Sequence, residues 1–420
     1  MVKLLEYQGK EILRKVGIPT PRGTVVKSVD EVEKALDIIS KGAVIKAQLP
    51  FTGRFKVGAI KFTNNIGEAK DVVKELLSKQ FRGFRPNKVL IEERISVKKE
   101  LYIGIIINDS YKVRSPTIIF SLKGGVDLEE IAKTSPELIL KINVDYLDGL
   151  DKNHISKELE KMGLDSELRE KVLNLMEKLY SNVFVAYDAR SAEINPLGLT
   201  DNGDIIALDC RIVIDDHSLY RHPDIKIEIP KDLNRSPTEL EERIWSWEDK
   251  DPRGTGYFIQ LATDTEKGGY IGFHGIGGGG AMLGADALIK RGLKLADYAD
   301  TSGDPPASKV YRVIKTILSI PGIEGYILMG AVMASQEQWH HAHAIVKAIR
   351  EMLSDKPGFP VLILIAGNKE KETHEIIRKG LKDLPINLEL YGREYIYKTD
   401  FIAERMKDMV MKYREVRKNE

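Results

Sequence analysis

The chain changes rhythm partway along its length. Up to about residue 220, short runs of alternating apolar and polar residues are interspersed with stretches of helical period, and no steady strand–helix alternation runs through them, which is an α+β pattern. "EYQGKEILRKVG" repeats its apolar residues at helical spacing and stops at Gly17; Pro19 and Pro21 then mark an extended lead into "GTVVKS". The spacing predicts a helix at "VDEVEKALDIISKG", a strand at "AVIKAQL", a loop over 50–58, a strand at "AIKFTN", a helix at "IGEAKDVVKELLSKQ" and a strand at "KVLIEERI". These make a small α+β subdomain of about residues 20–100. Strands follow at "KELYIGIIIND", "SPTIIFSL", "FVAYDARSAEINPLGLT" and "GDIIALDCRIVID", with a helical insert around 152–180.

From residue 257 five apolar segments, "GYIGFHG", "KLADYAD", "GYILMGAV", "PVLILIAG" and "INLELYG", are each followed by a helical pattern, at 281–291, 308–319, 336–353, 370–382 and 398–417. That alternation predicts a parallel sheet with helices on both faces, the doubly wound class, whose ligands bind at the carboxyl ends of the strands. The stretch 226–256 is rich in Pro, Asp and Arg and has no long apolar run, so it reads as a connection with one short helix near 237–248. The expected organisation is a domain over 1–225, a linker over 226–256 and a domain over 257–420.

Composition narrows the function. Two or three cores are expected of 420 residues, and 64 basic against 63 acidic residues leave no net field to draw nucleic acid or a membrane surface. The longest apolar runs fall far short of the ~20 residues of a membrane span. The single Cys210 excludes an internal disulfide framework, and the charged opening "MVKLLEYQGKEILRKVG" lacks the apolar core of a signal peptide, so a reducing cytoplasm is expected.

Three places carry candidate chemistry. Lys46 lies in a strand followed by a loop with Gly53, Arg54, Lys56 and Gly58, and such a cationic loop can fold over polyphosphate; a solvated basic hairpin has the same pattern. In "SAEINPLGLTDNGDIIALDCR" the turn Asp201-Asn202-Gly203 is a hairpin signal that sets Asn195 nearly opposite Asp209, with Glu193 on the face of Asn195. Two carboxylates and an amide oxygen suit Mg²⁺, which prefers a few such ligands plus phosphate oxygens and water; a surface hairpin with ordinary acidic residues reads the same way. Gly275, Gly277 and Gly280 stand at G-x-G-x-x-G spacing between a strand and a helix, the fingerprint of a dinucleotide site, with Asp297 or Asp300 as the nominal ribose acid. His340 and His343 in "WHHAHA" are one helical turn apart, which permits a metal pair, although ordinary helix positions explain them as well.

Together these elements resemble the ATP-grasp domain of succinyl-CoA synthetase β subunits. Lys46, the Gly53-Arg54-Phe55-Lys56 loop, Glu92 in "VLIEERI", Glu100 in "KELYIG", "KGGVDLEE" at 123–130 and "EINPL…GDIIALD" stand in that family's order and approximate spacing. The C-terminal half is similar to the β-like part of ATP-citrate lyase and the large subunit of citryl-CoA synthetase in "GGGGAM", "LADYADTSGDP", "VYRVIKTILS" and "AIVKAIR". The resemblance implies an α+β ATP-grasp domain followed by an α/β doubly wound, flavodoxin-like CoA-ligase domain, in a subunit of an ADP-forming acid–CoA ligase. Lys46, Gly53, Arg54, Phe55 and Lys56 would hold ATP phosphates, and Glu92, Ile95 and Glu100 would meet the adenine or ribose. Asn195 and Asp209 would bind Mg²⁺, with Glu193 facing an incoming phosphohistidine. Gly278, Gly279 and Gly280, with Ala331, Ala334 and Gln336, would line the substrate or phosphohistidine site. The family's phosphorylated His lies in an α-type partner, in a Gly-His-Ala-Gly-Ala setting absent from this chain, and CoA would come through that partner. The resemblance does not separate ATP from GTP.

The pattern departs from the family at the acid. Ile276 stands where succinate-using relatives carry Asn, and Ala334 and Gln336 replace the Asn and Thr of a citrate-type loop. "LILIAGN" puts only Leu364, Ile365 and Ala366 where an Arg is expected. A charged hydrogen bond contributes about 1.5–3 kcal/mol, so a smaller or less charged carboxylate is expected. A nicotinamide-dependent dehydrogenase and a silent assembly subunit are the readings from other classes; the first leaves the N-terminal half unexplained, and the second gives no reason to keep Lys46, Asn195 and Asp209 together.

Overall fold

A computed structural model of the chain describes residues 1–125, 131, 133–227, 237–248, 250, 251, 253–266 and 268–418, with 331–336 and 418 described by backbone alone. Two units divide between Ser236 and Pro237. Among the described residues, no helix is long and apolar enough to cross a membrane.

The first unit holds eleven strands among its described residues: β1 (Val2–Lys3), β2 (Gly23–Val26), β3 (Ala43–Ala47), β4 (Ile60–Thr63), β5 (Val89–Glu93), β6 (Lys99–Asn108), β7 (Ser115–Ser121), β8 (Ile139–Asn143), β9 (Ala189–Leu199), β10 (Ile205–Ala207) and β11 (Cys210–Ile214). β2-β5-β3-β4 form a small antiparallel sheet, and β1-β11-β9-β6-β7-β8 a large one with β10 paired to β9. Side chains alternate across a strand. Ile45, Val89 and Ile91 therefore enter the subdomain core under the Ile66–Ser78 helix, while Lys46 and Glu92 turn to the opposite face. One face of the large sheet, with Leu101, Ile103, Ile118, Phe120, Ala192, Ile194 and Ile212, packs on the helices Glu6–Lys15, Lys152–Lys161 and Ser166–Glu177. The other presents Ser191, Glu193 and Asn195.

"FVAYD" is a correction to the expected strand. Lys178–Val185 is a π-helical extension of the preceding helix, burying Leu179, Tyr180, Val183 and Phe184, and the strand starts only at Ala189. An unbroken apolar run does not by itself distinguish a buried helix turn from a strand.

In the second unit β12 (Tyr257–Gln260), β13 (Tyr270–Ile276), β14 (Lys294–Leu295), β15 (Asp297–Asp300), β16 (Tyr326–Glu337), β17 (Pro360–Asn368) and β18 (Asn387–Tyr391) form a sheet of order β12-β15-β13-β16-β17-β18, with β14 on β13. It is parallel except for the edge strand β12. The helices Gly278–Lys290 and Thr399–Lys418 pack together on one face, and Ala307–Leu318, Trp339–Leu353 and Glu370–Leu381 follow one another on the other. The doubly wound expectation is met. Residues 237–248, which composition assigns to the connection, instead pack into this unit: Trp245 donates to the Phe258 carbonyl at 3.3 Å, and Glu241 accepts from the Gln260 backbone at 2.8 Å. Residues 228–236, 249 and 252 of that stretch lie outside the described residues.

A polar cluster is sealed in the second unit's core. His274 meets the Tyr326 hydroxyl and the Thr301 hydroxyl, each at 2.7 Å, one at either ring nitrogen, and all three residues are fully buried. Burial pushes His274 down to about 3 and His341 down to about 4, whereas it raises the Asp297 carboxyl well above its ordinary value. An unfolded His titrates near 6.5. Below about pH 6.5 the unfolded chain thus binds protons at both histidines that the native state refuses, so their contribution is full above that pH and is lost as pH falls toward 4. Asp297 acts in the opposite sense: its contribution is full below the unfolded value of about 3.9 and is lost as pH rises. All three tryptophans, Trp245, Trp247 and Trp339, lie in this unit, so their emission follows its unfolding. Between pH 4 and 6, His274→Gln should lower the slope of unfolding free energy against pH by about one proton, about 1.4 kcal/mol per pH unit.

Candidate functional site

The site grows from the Glu6–Lys15 helix. Its C-terminus is closed by the Gly17 N–H on the Arg14 carbonyl and the Ile18 N–H on the Leu13 carbonyl, the paired bonds of a Schellman ending. Glu6 and Lys10 are one turn apart, facing the small sheet and the segment before β11. Lys10 Nζ lies 2.8 Å from Glu6 Oε1, and 2.7 and 2.6 Å from the two oxygens of Glu92, and donates to the Leu208 carbonyl at 2.8 Å. Lys46 Nζ donates to Glu6 Oε1 and the Leu208 carbonyl, each at 2.7 Å, and lies 2.9 Å from Glu92 Oε2. Arg54 sets one nitrogen, Nη2, on both oxygens of Asp209 at 2.6 and 2.7 Å. Its Nη1 lies 2.7 Å from Glu6 Oε2, but the angle is not that of a hydrogen bond, and both atoms are buried with unused capacity.

Three carboxylates therefore meet three cations, and Glu6, Lys10, Lys46, Arg54 and Glu92 are all buried. Burying a charge is costly unless it is paired and hydrogen-bonded. Burial alone would raise the Glu6 carboxyl, yet Arg54, Lys10 and Lys46 hold it well below the usual carboxylate range. Burial opposes the charge of Lys46, but Glu6, Glu92 and Asp209 more than offset it and raise the ammonium above the ordinary lysine value. Arg54 is raised likewise, against burial, by Asp209 and Glu6.

The hairpin register is the one its spacing implies. The Asn195 N–H donates to the Asp209 carbonyl at 3.1 Å, and Glu193 pairs across the ladder with Arg211. Burial raises the Glu193 carboxyl; Arg211 and a hydrogen bond with Asn195 pull it back, and Asp209 adds to the rise. Asn195 Oδ1 accepts from the Gly125 N–H at 2.8 Å. Gly125 has φ +70°, a left-handed conformation that favours glycine and lets its N–H reach Asn195.

The other nucleotide candidates are spread more widely. Glu92 is enclosed by Lys10 and Lys46, whereas Glu100 is exposed and Ile95 half-buried just past β5. In the loop, the Lys56 N–H donates to the Gly53 carbonyl at 3.1 Å, and Phe55 and Lys56 project into solvent beside the buried Arg54. Residues 126–130 of "KGGVDLEE" lie outside the described residues. Glu6 and Lys10 were missed by the sequence reading. Their signal is two opposite charges at i, i+4 that share a helix face with apolar Leu13, where solvent would be expected if the pair were ordinary.

In the second unit Gly278, Gly279 and Gly280 open the Gly278–Lys290 helix and are exposed. The acid beside that helix end is the chain's own: Asp300 accepts from the Gly277 backbone, and its Oδ1 is buried without a partner. Burial raises the Asp300 carboxyl, against hydrogen bonds from Ser302 and Gly277. Asp297 is enclosed and accepts from the Phe273 N–H at 3.1 Å, so it is not placed to reach a ribose. Ala331, Ala334 and Gln336 lie on β16, their side chains outside the described residues. His341 is buried, whereas His340 and His343 are exposed, the first stacked on Trp339 at 3.7 Å. Among the described residues, no group of three or more His, Cys, Asp or Glu is placed to hold a metal.

Both halves of the chain match known families. Residues 3–199 match the ATP-grasp domain family, and residues 252–407 the ATP citrate lyase citrate-binding family. The chain is 31% identical to the β subunit of ADP-forming succinate–CoA ligase of Ignicoccus hospitalis, over 90% of this chain and 94% of that protein. It is 34% identical to β subunit 1 of the ADP-forming enzyme of Archaeoglobus fulgidus and 32% to the β subunit of a GDP-forming succinate–CoA ligase of Thermus thermophilus, over 90% of this chain and 93% of each relative. The structure of ATP citrate lyase from Methanothrix soehngenii in complex with citrate and coenzyme A shares the fold, with a TM-score of 0.77 at 21% identity over 94% of this chain and 96% of that one.

The buried network can be tested by stability. Lys10→Met leaves Glu6 and Glu92 short of one cation, and breaking a buried pair in this way costs about 3–5 kcal/mol. Chemical denaturation of the first unit, followed by far-UV circular dichroism, should show that loss, with less than about 0.5 kcal/mol for the exposed Lys74→Met.

Proposed function

The chain belongs to the family of succinate–CoA ligase β subunits, and on that premise we propose that it is the nucleotide-binding subunit of an ADP-forming acid–CoA ligase, working with an α-type, CoA-binding subunit that carries a phosphorylated histidine. The observation that carries this reading is the meeting of Arg54 with Asp209. It brings a loop cation suited to phosphate and a carboxylate suited to a metal to one place, beside Lys46, Asn195 and Glu193.

The donor set fits Mg²⁺. Asp209 and Asn195 supply hard oxygens, Glu193 lies beside them, and Mg²⁺ prefers one or two carboxylates plus phosphate oxygens to a full protein cage. When bound, the ion supplies positive charge against the nucleotide's phosphate oxygens. Lys46 and Arg54 would hold ATP phosphates, for which a guanidinium offers a fork of N–H donors. Glu193 would orient the partner's imidazole and stabilise its charged form while phosphate moves.

Three transfers complete the reaction. The γ-phosphoryl passes from ATP to the partner's His, releasing ADP; it passes on to a carboxylate, giving an acyl-phosphate and free His; the CoA thiol then attacks the acyl carbon and expels phosphate. Such a relay divides one difficult condensation into easier steps. GTP as the donor is the variant offered by the GDP-forming relative.

The acid is proposed to be smaller or less charged than succinate or citrate, because Ile276, Ala334 and the Leu364-Ile365-Ala366 stretch replace polar and cationic family residues. The second reading, citrate, is favoured by the citrate-binding family match over residues 252–407. With the purified pair, Mg-ATP should label the partner's His, and Asp209→Ala should reduce that labelling at least ~100-fold, the scale of a lost electrostatic contact to the transition state. Calorimetry should show Mg-ATP binding and no NAD binding. Across a panel of acids, the highest kcat/KM should fall on a small monocarboxylate; a maximum at citrate would establish the second reading, and one at succinate would remove the size argument.

A further inference from the structure

Asp209 has two duties that oppose each other. Both of its oxygens are engaged by one nitrogen of Arg54, at 2.6 and 2.7 Å. A Mg²⁺ ion on the same carboxylate would stand about 2.0–2.1 Å from an oxygen, within a few ångströms of the guanidinium. Two cations that close repel, so the guanidinium lowers the carboxylate's attraction for a second positive charge. Guanidinium and metal are therefore competitors.

Arg54 sits in the 50–58 loop while its partner Asp209 belongs to the segment before β11, so their contact joins two elements far apart in sequence. Gly53 and Gly58 bracket it with φ of +74° and +73°, and Phe55 and Lys56 beside it are exposed. The second nitrogen, Nη1, is buried near Glu6 Oε2 without a hydrogen bond. The guanidinium is thus hydrogen-bonded to Asp209 on one side and ion-paired with Glu6 at 2.7 Å on the other. A phosphate oxygen offers the bidentate acceptor that Arg prefers, and taking it would release Asp209.

We propose that Arg54 is the positioning residue that keeps Asp209 closed to a bare divalent cation and yields it when nucleotide phosphate arrives, so that metal enters this site with the nucleotide and not before it. Lys46 does not perform this task, because its ammonium lies on Glu6, Glu92 and the Leu208 carbonyl and not on the Asp209 carboxylate. The proposal rests on the reading of Asp209 as the metal carboxylate, and its test separates the two.

Mn²⁺ serves as the probe, its free-ion electron paramagnetic resonance signal being titrated against the full chain without nucleotide. The wild-type protein should bind Mn²⁺ weakly. Arg54→Gln should bind at least ~10-fold more tightly, Arg54→Lys should fall between them, and Asp209→Asn in the Arg54→Gln background should return binding to the wild-type level or below. Unfolding midpoints of all variants establish that each is folded, and Arg54→Lys, which keeps a cation beside Glu6, carries the test if Arg54→Gln is not. Should Mn²⁺ bind equally to wild type and both Arg54 variants while Asp209→Asn weakens it, the gating role is overturned and the metal assignment stands. If Asp209→Asn has no effect in any background, both fall. In the supporting outcome, adding inorganic tripolyphosphate should loosen the hold of Arg54 in wild type and raise Mn²⁺ retention on the protein, with a smaller rise in Arg54→Gln.

Discussion

Everything in the first unit is arranged around charge that has been taken out of water. One carboxylate, Glu6, touches Lys10, Lys46 and Arg54, which come from a helix, a strand of the small sheet and the loop beyond that strand. Glu92 and Asp209 close the set from the neighbouring strand and from the segment before β11. Each partner is tolerable in the interior only because the others are in place, so the network fixes relative positions that apolar packing alone would leave free to slide. The helix is pinned to both sheets at one point. The three cations are thereby held in place, with their ordering entropy already lost during folding.

Much of this was legible, and the parts that were not share a cause. Alternation put Lys46 and Glu92 on the same face of a sheet, and the Asp201-Asn202-Gly203 turn set Asn195 against Asp209, because period and turn chemistry are local properties of the chain. The doubly wound second unit followed from strand–helix alternation in the same way. What could not be read locally were contacts that chain distance hides: Glu6 with Arg54, or Gly125 with Asn195. Glu92 illustrates the difference. Family spacing directs it toward the nucleotide's adenine or ribose, while in the fold its carboxylate is spent on two lysines. The segment around Phe184 failed for another reason, since its apolar run suits a buried helix turn as well as a strand.

The glycines at 275–280 show how a motif can be locally right and globally reassigned. They do open a helix after a strand, as the dinucleotide fingerprint requires, but the acid the fingerprint would lend to a ribose is sealed in the core as Asp297, and Asp300 lies against the helix end itself. A phosphate arriving there would meet a carboxyl that burial makes costlier to ionise. The electrostatics of that helix end thus depend on Asp300 and not on its glycines alone.

Cys210 lies at the join between helix and large sheet. Its thiol is 3.7 Å from the Glu6 carbonyl, a Cβ on Gly9 would come within 2.8 Å of its sulfur, and burial raises its titration far above that of a free thiol. It is also the chain's single sulfhydryl. Its reactivity toward an alkylating reagent is therefore a built-in clock for separation of the Glu6–Lys15 helix from β11: the label arrives only as often as that seam opens, and it records the opening of the charge network without any engineered probe.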